Sequence, residues 1–447
     1  MRQPHLFLTK IPISHRFSLV CLVLGGVLPL RAQGAQRAQG ALTEAAAVQR
    51  VMARPDLKQL WTLPEAQAQA QRTEAGLWAN PSLGASREHP NGPTGPRRED
   101  SFLLIQPVDL SGRRGLRKQA GDLRLKAAEG DRDAIRAELV QRVRLTFHQT
   151  LLHQERLKRL DAAVDRVSRL AGALEHQETA GEASGAERRR AQRELDGLRA
   201  RLAQERAAFL RAQEQLKVQA QWEAEAGAEA HLPKVGPQGA AQEVRREEQA
   251  PVLEGSLVPE APPPLDEILK ALPEAPTQRS SQQEAKALGL EARASRRWMP
   301  ELNLGAGVKR WEEGGLKGSG AVFSLGVTLP AWNRGQAQRQ RTEAEARAAQ
   351  TRASLAKDET LAEAKALWRE VSDLGTAARE ILARAVEDTP KLLKGADASF
   401  DAGETSLFEL LDVQRSALDT DLQALDLAFA ARRARLDLDR LLGRIEP

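Results

Sequence analysis

Tyrosine is absent from this 447-residue sequence, aromatic residues make up only 4% of it, and there is a single cysteine. One thiol allows no internal disulfide and no multi-cysteine metal site. That residue, Cys21, lies in the apolar run Phe17–Leu30, between a basic stretch and the small and polar Arg31-Ala32-Gln33-Gly34. The layout is that of a secretory signal peptide, assigned to residues 1–34, and its apolar run is too short for a comfortable transmembrane helix. Lipid attachment at Cys21 calls for a small residue just before it, and Val20 stands there. The mature chain is therefore expected to carry no thiol.

An excess of one charge is lacking as well. Lys and Arg number 66 against 61 Asp and Glu, and loss of Arg2, Lys10, Arg16 and Arg31 with the leader lowers the formal charge from +5 to +1. The basic balance is thus mostly a targeting feature and gives no footprint for nucleic acid. Catalytic signatures are missing too. His89, His148, His153, His176 and His231 are scattered without zinc-ligand spacing, no glycine loop suits a phosphate, and Ser184 and Ser406 have no adjacent base. No enzyme, catalytic residue, metal site or cofactor is expected.

What fills the chain is Ala, Arg, Gln, Glu and Leu, the composition of long helices. The order of signals occurs twice. Trp78-Ala79-Asn80-Pro81 opens a first strand-like stretch, Ser101 to Leu110 follows, and Pro107 has Gly112 five residues later; Trp298-Met299-Pro300 opens another, Gly320 to Pro330 follows, and Pro330 has Gly335 five later. Gly181-Glu182-Ala183-Ser184 then returns as Gly403-Glu404-Thr405-Ser406, 69 residues after Gly112 and 68 after Gly335. A fixed helix length demands such spacing, because one inserted residue rotates everything beyond it by about 100°. Apolar residues from Leu157 to Leu174, Leu195 to Leu216 (through Phe209) and Leu407 to Phe429 step by three, four or a full heptad, as coiled-coil seams do. The expected organisation is a first repeat over 41–228, an irregular linker over 229–264 and a second repeat over 265–443. Each repeat comprises a shorter helix, a β-hairpin and a long helical hairpin. The shorter helices are placed at about Leu42–Trp78, broken or kinked at Pro55 and Pro64, and about Leu265–Arg297.

The strands alternate. Ala321, Phe323, Leu325, Val327 and Leu329 oppose Val322, Ser324, Gly326 and Thr328; Leu302, Leu304, Ala306 and Val308 oppose Asn303, Gly305, Gly307 and Lys309. Phe102-Leu103-Leu104-Ile105 breaks this pattern with a continuous apolar run. A small sheet packed on helices has the same alternation, but strands of bilayer-crossing length with Trp78, Trp298, Trp311 and Trp332 at their ends favour a membrane barrel with an aromatic belt. His89–Arg98 and Glu312–Ser319 are then the outer turns. Four strands close no barrel and open edges are forbidden in lipid, so several chains must pool their strands.

The sequence resembles the TolC-like outer membrane efflux proteins, on Asn80-Pro81-Ser82-Leu83, Gln106-Pro107-Val108-Asp109-Leu110-Ser111-Gly112-Arg113-Arg114, Gly181-Glu182-Ala183-Ser184, and the stretch from Phe400 to Arg415. The likeness covers about residues 41–443, and the Gln106–Arg114 stretch is similar to the heavy-metal branch. It implies a mostly α homotrimer with a small β part. Four strands per chain would form an outer-membrane β-barrel, continued by a periplasmic α-helical barrel. It implies a passive duct, set in outer-membrane lipid and extending into the periplasm, fed by an inner-membrane efflux pump through a periplasmic adaptor. Phe400 stands where the family often has tyrosine.

The resemblance also implies that the tips Gly181, Glu182, Ser184, Gly403, Glu404 and Ser406 dock the adaptor, and that Glu409 and Asp412 ring the tunnel entrance. Glycine at a reversal and serine as a helix cap account for part of the tip signal on their own. Asp412 is equally placed to pair with Arg415. A periplasmic adaptor or a coiled-coil scaffold of an export system is the alternative; an adaptor would carry one hairpin, not two with matching tips.

Overall fold

The computed structural model describes residues 42–92, 95–181, 184–221, 253–297, 299–329 and 331–445. The expected leader, Cys21, and most of the linker lie outside them, as do Glu182 and Trp298.

In chain order, the short strand β1 (Leu42–Thr43) leads into helices α1 (Glu44–Ala53) and α2 (Pro55–Gly76). The break falls at Pro55, which opens α2 as proline favours, whereas Pro64 is accommodated inside the helix. Strands β2 (Ser82–Glu88), β3 (Asn91–Gly92) and β4 (Gly95–Val108) follow, then α3 (Arg113–Ala180) and α4 (Gly185–Ala220). After β5 (Leu253–Glu254) come α5 (Leu265–Ala271) and α6 (Pro276–Arg296), strands β6 (Glu301–Glu313) and β7 (Leu316–Thr328), and helices α7 (Gln336–Asp401) and α8 (Leu407–Leu441). The shorter helix expected near Leu265–Arg297 is therefore two. Pro273 and Pro276 remove backbone donors, and a single 3-10 turn over Leu272–Glu274 joins the halves.

The two long helices are 68 and 66 residues, roughly 100 Å at about 1.5 Å per residue. Both start from a left-handed glycine, Gly112 at φ 70° and Gly335 at φ 72°. Each hairpin packs on itself, and α8 also packs on α3, giving the order α4, α3, α8, α7 toward the tips. Nearer the sheet the order is α2, α3, α6, α7. The wall is thus four helices wide at both levels. Small residues permit the close approaches: a Cβ at Gly121 would meet the Arg72 backbone at 2.9 Å, and one at Gly130 the Pro276 carbonyl at 2.7 Å.

Three apolar clusters hold these layers. The tip-ward one joins Leu160, Val167 and Leu174 of α3 to Leu195 and Leu198 of α4 and Leu407, Leu411 and Leu418 of α8. The middle one gathers Val51, Phe147, Leu151, Leu216, Leu253 and Leu425. Ile268 and Leu272 pack with Ala364, Leu438 and Leu441 in the third.

The end of the expected irregular linker is pinned in place. β5 pairs in parallel with β1, and the Gln154 side chain bonds both the N–H and C=O of Leu253, at 2.9 and 3.1 Å. Beyond it Arg432 donates to the carbonyls of Ser256 and Val258, both at 2.8 Å, Arg379 to Pro259, and Trp368 to Pro263. A proline-rich segment has few donors of its own, so its carbonyls are satisfied by side chains from α7 and α8.

The larger sheet runs β2-β4-β6-β7, antiparallel throughout, with β3 paired to β4 beside it. The strands reach further than the expected outer turns allowed: β4 starts at Gly95 and β6 and β7 turn tightly at Gly314-Gly315. Both glycines have positive φ (57° and 86°), as a two-residue hairpin turn requires.

Candidate functional site: a two-faced sheet and two hairpin tips

Register sorts the sheet into two faces. One carries Leu83 and Ala85, Phe102 and Leu104, Leu302, Leu304, Ala306 and Val308, and Ala321, Phe323, Leu325 and Val327. This face is bare: Phe323 is 83% exposed, Leu83 75% and Leu325 68%. So wide an apolar patch marks a surface made to be covered. A sheet packed on helices would have buried it.

The other face carries Ser82, Gly84, Ser86, Ser101, Gly305, Gly307, Ser324 and Gly326. Leu103 and Ile105 belong here, and Leu103 lies over Gly305, filling space left by the missing side chain. That explains the continuous apolar run in β4. Toward the hairpin turns the same face is charged: Glu99 pairs with Arg97 at 2.7 Å and with Lys309, and Arg97 also approaches Glu313 at 3.7 Å.

The tryptophans separate accordingly. Trp78 and Trp332 flank the helix end of the sheet, 57% and 90% exposed, and the Arg114 guanidinium lies 3.8 Å over the Trp78 ring. Trp311 falls on the polar face by strand parity, beneath Arg97 and against Gly318. It lies on the side opposite the bare apolar face.

The hairpin tips repeat one construction. Gly181 and Gly403 take positive φ, 78° and 72°, at the reversals. Ser184 and Ser406 then cap the returning helices, each accepting the N–H three residues on, from Glu187 and Glu409 at 3.3 Å. Each glutamate reaches back to its serine's N–H, completing a capping box. The Ser-x-x-Glu spacing was present in the sequence and carries this signal. Glu404 is exposed at the second tip. Between the tips, Arg190 of α4 lies 4.5 Å over the Phe408 ring of α8.

Glu409 is consequently a helix cap as well as a candidate ring member. Its carboxyl is held below the ordinary range by the hydrogen bond from the Ser406 backbone. Asp412, one turn on, is exposed. Arg415, its expected partner, instead pairs with Glu194 of α4.

Sequence reading missed a buried polar cluster at the helical middle. Arg144, 4% exposed, binds Glu44 and lies 3.3 Å from Asp439, while His148 Nε2 lies 3.1 Å from Glu44. Burial pushes the Glu44 carboxyl up, but the His148 hydrogen bond and the Arg144 charge outweigh it and bring it to about 2. Burial also dominates at His148, lowering its pKa despite Glu44. Among the described residues no group of three or more His, Cys, Asp or Glu is placed to hold a metal ion, and no helix is long and apolar enough to cross a membrane.

Residues 268–444 match the family model "Outer membrane efflux protein". Over 399 residues the chain is 24% identical to the cobalt-zinc-cadmium resistance protein CzcC of Cupriavidus metallidurans, covering 86% of this chain and 87% of that one. The matched segment is an outer membrane efflux protein domain, and the likeness to such proteins extends over most of the chain. The fold is that of VceC of Vibrio cholerae (TM-score 0.69, 14% identical, 90% of this chain and 96% of that one) and of the CmeC channel of Campylobacter jejuni (0.68, 14%, 90% and 85%). It is an outer-membrane channel-tunnel of the tripartite efflux type, extending into the periplasm, and the adaptor and scaffold alternatives gain no support. Its family and structural neighbours are passive channels.

Proposed function

We propose that three copies of this efflux protein pool their sheets into one twelve-stranded barrel and their helices into one twelve-helix tunnel. An inner-membrane pump would load it through a periplasmic adaptor. The observation that carries this reading is the sheet whose four-strand path β2-β4-β6-β7 has one bare apolar face and, among the described residues, two unpaired edges, β2 and β7. In lipid such edges must find partners, and only other chains supply them. The helical wall supports the same count, being four helices wide at both levels.

The capped tips at Gly181–Ser184 and Gly403–Ser406 are the surfaces offered to the adaptor, with Glu404 free at the second. Asp412 is the leading candidate for a threefold acidic ring at the tunnel entrance, where carboxylates attract cations. Glu409 contributes there mainly by fixing the helix that carries Asp412. The cargo fitting both the CzcC likeness and the Gln106–Arg114 stretch is divalent metal cations.

Deletion from a host that carries the partner pump should raise sensitivity to zinc, cobalt and cadmium, with the protein recovered from outer membranes as a heat-modifiable trimer on unheated SDS gels. A monomer confined to the soluble periplasm would refute the channel. Unchanged metal tolerance with an intact trimer would refute only the cargo.

A further inference from the structure

The apolar face of the sheet ends differently at its two margins. Toward the helices it finishes in Val108, Leu302, Val327 and Leu329. Toward the hairpin turns, the last apolar row, Phe102, Val308 and Ala321, is followed on the same face by Arg87, Asp100, Arg310 and Ser319. The next row is Arg98, Glu312 and Lys317. Each step between rows is about 7 Å along a strand, so both rows fit a headgroup layer roughly 6 Å deep on each side of the hydrocarbon when the strands tilt.

Four cations here face two carboxylates. Asp100 is shared by Arg87 at 2.5 Å and Arg98 at 3.2 Å, and Glu312 pairs loosely with Lys317 at 3.4 Å. Arg310 is exposed and takes no carboxylate partner among the described residues. The side chains border an open groove of about 400 Å³ lined by Arg98, Asp100, Arg310, Glu312, Lys317 and Ser319, with Trp311 and Gly318 of the opposite parity completing its wall. A solvated charged fringe needs neither a groove nor a surplus of cations.

We propose that this groove binds the phosphates of a phosphorylated glycolipid headgroup in the outer leaflet. Arginine forks match phosphate oxygens bidentately, and Ser319 adds a hydroxyl donor for a phosphate or sugar oxygen. In the membrane-spanning reading the hairpin-turn margin lies at the outer leaflet, so its surplus cations would meet phosphates carried there. A soluble anion would not require the groove to adjoin the lipid-facing apolar band. The proposal rests on the membrane-spanning reading of the sheet.

The purified protein is mixed with bisphosphorylated lipid A, or with dephosphorylated lipid A of the same acyl chains, and retention is compared by native mass spectrometry. The expected result is preferential retention of the phosphorylated lipid. Arg98→Ser/Arg310→Ser should weaken that preference by about thirtyfold, given roughly 1 kcal/mol per basic residue at an anionic surface, while Arg310→Lys alone keeps most of it. Equal retention of both lipids by the wild type, or no change in the double variant, overturns the proposal. So does displacement of the lipid by tens of millimolar inorganic phosphate, which would make this a soluble-anion site. Planar-bilayer recordings separate the two levels: a wild type without pore activity overturns both readings, and a pore without lipid preference overturns the headgroup site alone.

Discussion

The carboxylate of Glu409 accepts hydrogen bonds from the backbone N–H and the hydroxyl of Ser406, at 2.8 and 3.0 Å. Glu187 and Ser184 repeat the arrangement at the other tip, at 2.9 Å for both bonds. Ser406→Ala should cost about 1 kcal/mol locally, the usual loss for an N-cap serine, and fray the first turn of α8. Amide exchange over Leu407–Leu411 reads this directly. Protection equal to wild type would show that the cap contributes nothing at the tip.

Asp412 lacks such a structural duty, so its removal isolates the ring. Asp412→Ala is expected to change single-channel conductance and lower cation preference in planar bilayers, with the heat-modifiable trimer intact. Glu409→Ala should act mainly on exchange at the tip. If Asp412→Ala conducts with wild-type selectivity, Asp412 forms no acidic ring at the entrance.

Strand parity makes a paired test possible. Phe323→Arg places a charge on the bare apolar face and should cost about 2–4 kcal/mol if it lies near the bilayer midplane. Outer-membrane yield should drop steeply. Ser324→Arg, one residue on, points to the polar face and should leave yield near wild type while altering conductance. Equal yields from the two variants would contradict the assignment of faces.

The buried cluster around Arg144 sets an acid limit. Glu44, held near 2 in the fold against an ordinary 4.5, stabilises the protein above about pH 4.5, and this is lost as pH falls toward 2. His148 is depressed below 6.5 and so favours the fold while neutral, an advantage that shrinks as pH falls below 6.5. Both act in one direction. Thermal melting in detergent should show a midpoint falling from pH 6.5 to 3, with a shallower acid limb in Glu44→Gln. Arg144→Ala leaves Glu44 with only His148 and the buried Asp439 with only Arg435 as partners, and should cost about 3 kcal/mol. A wild-type midpoint independent of pH over this range would remove the cluster from the stability argument.

The long helices were legible because length itself was written in the sequence, in the Gly112–Gly181 and Gly335–Gly403 spacings. The faces of β6 and β7 were legible from alternation, and counting parity along β6 would already have moved Trp311 off the apolar side. Leu103 and Ile105 were harder: their inward position depends on glycines some 200 residues away in β6. The Arg144 cluster gave no local signal, since Glu44 and Asp439 meet it from opposite ends of the chain. At the tips the reversals were legible in the glycines. The capping role of Glu409 was equally written in its three-residue spacing from Ser406.

The free edges of β2 and β7 bear on how the protein reaches its membrane. A lone chain presents two rows of unpaired peptide groups that hydrocarbon cannot solvate, so it has no stable half-inserted form to rest in. Entry into the bilayer must therefore be concerted with encounter between chains, and its rate should rise more steeply than linearly with protein concentration. At low expression the slow step is meeting partners, and edge-exposed precursors awaiting them are the species most exposed to proteolysis and aggregation.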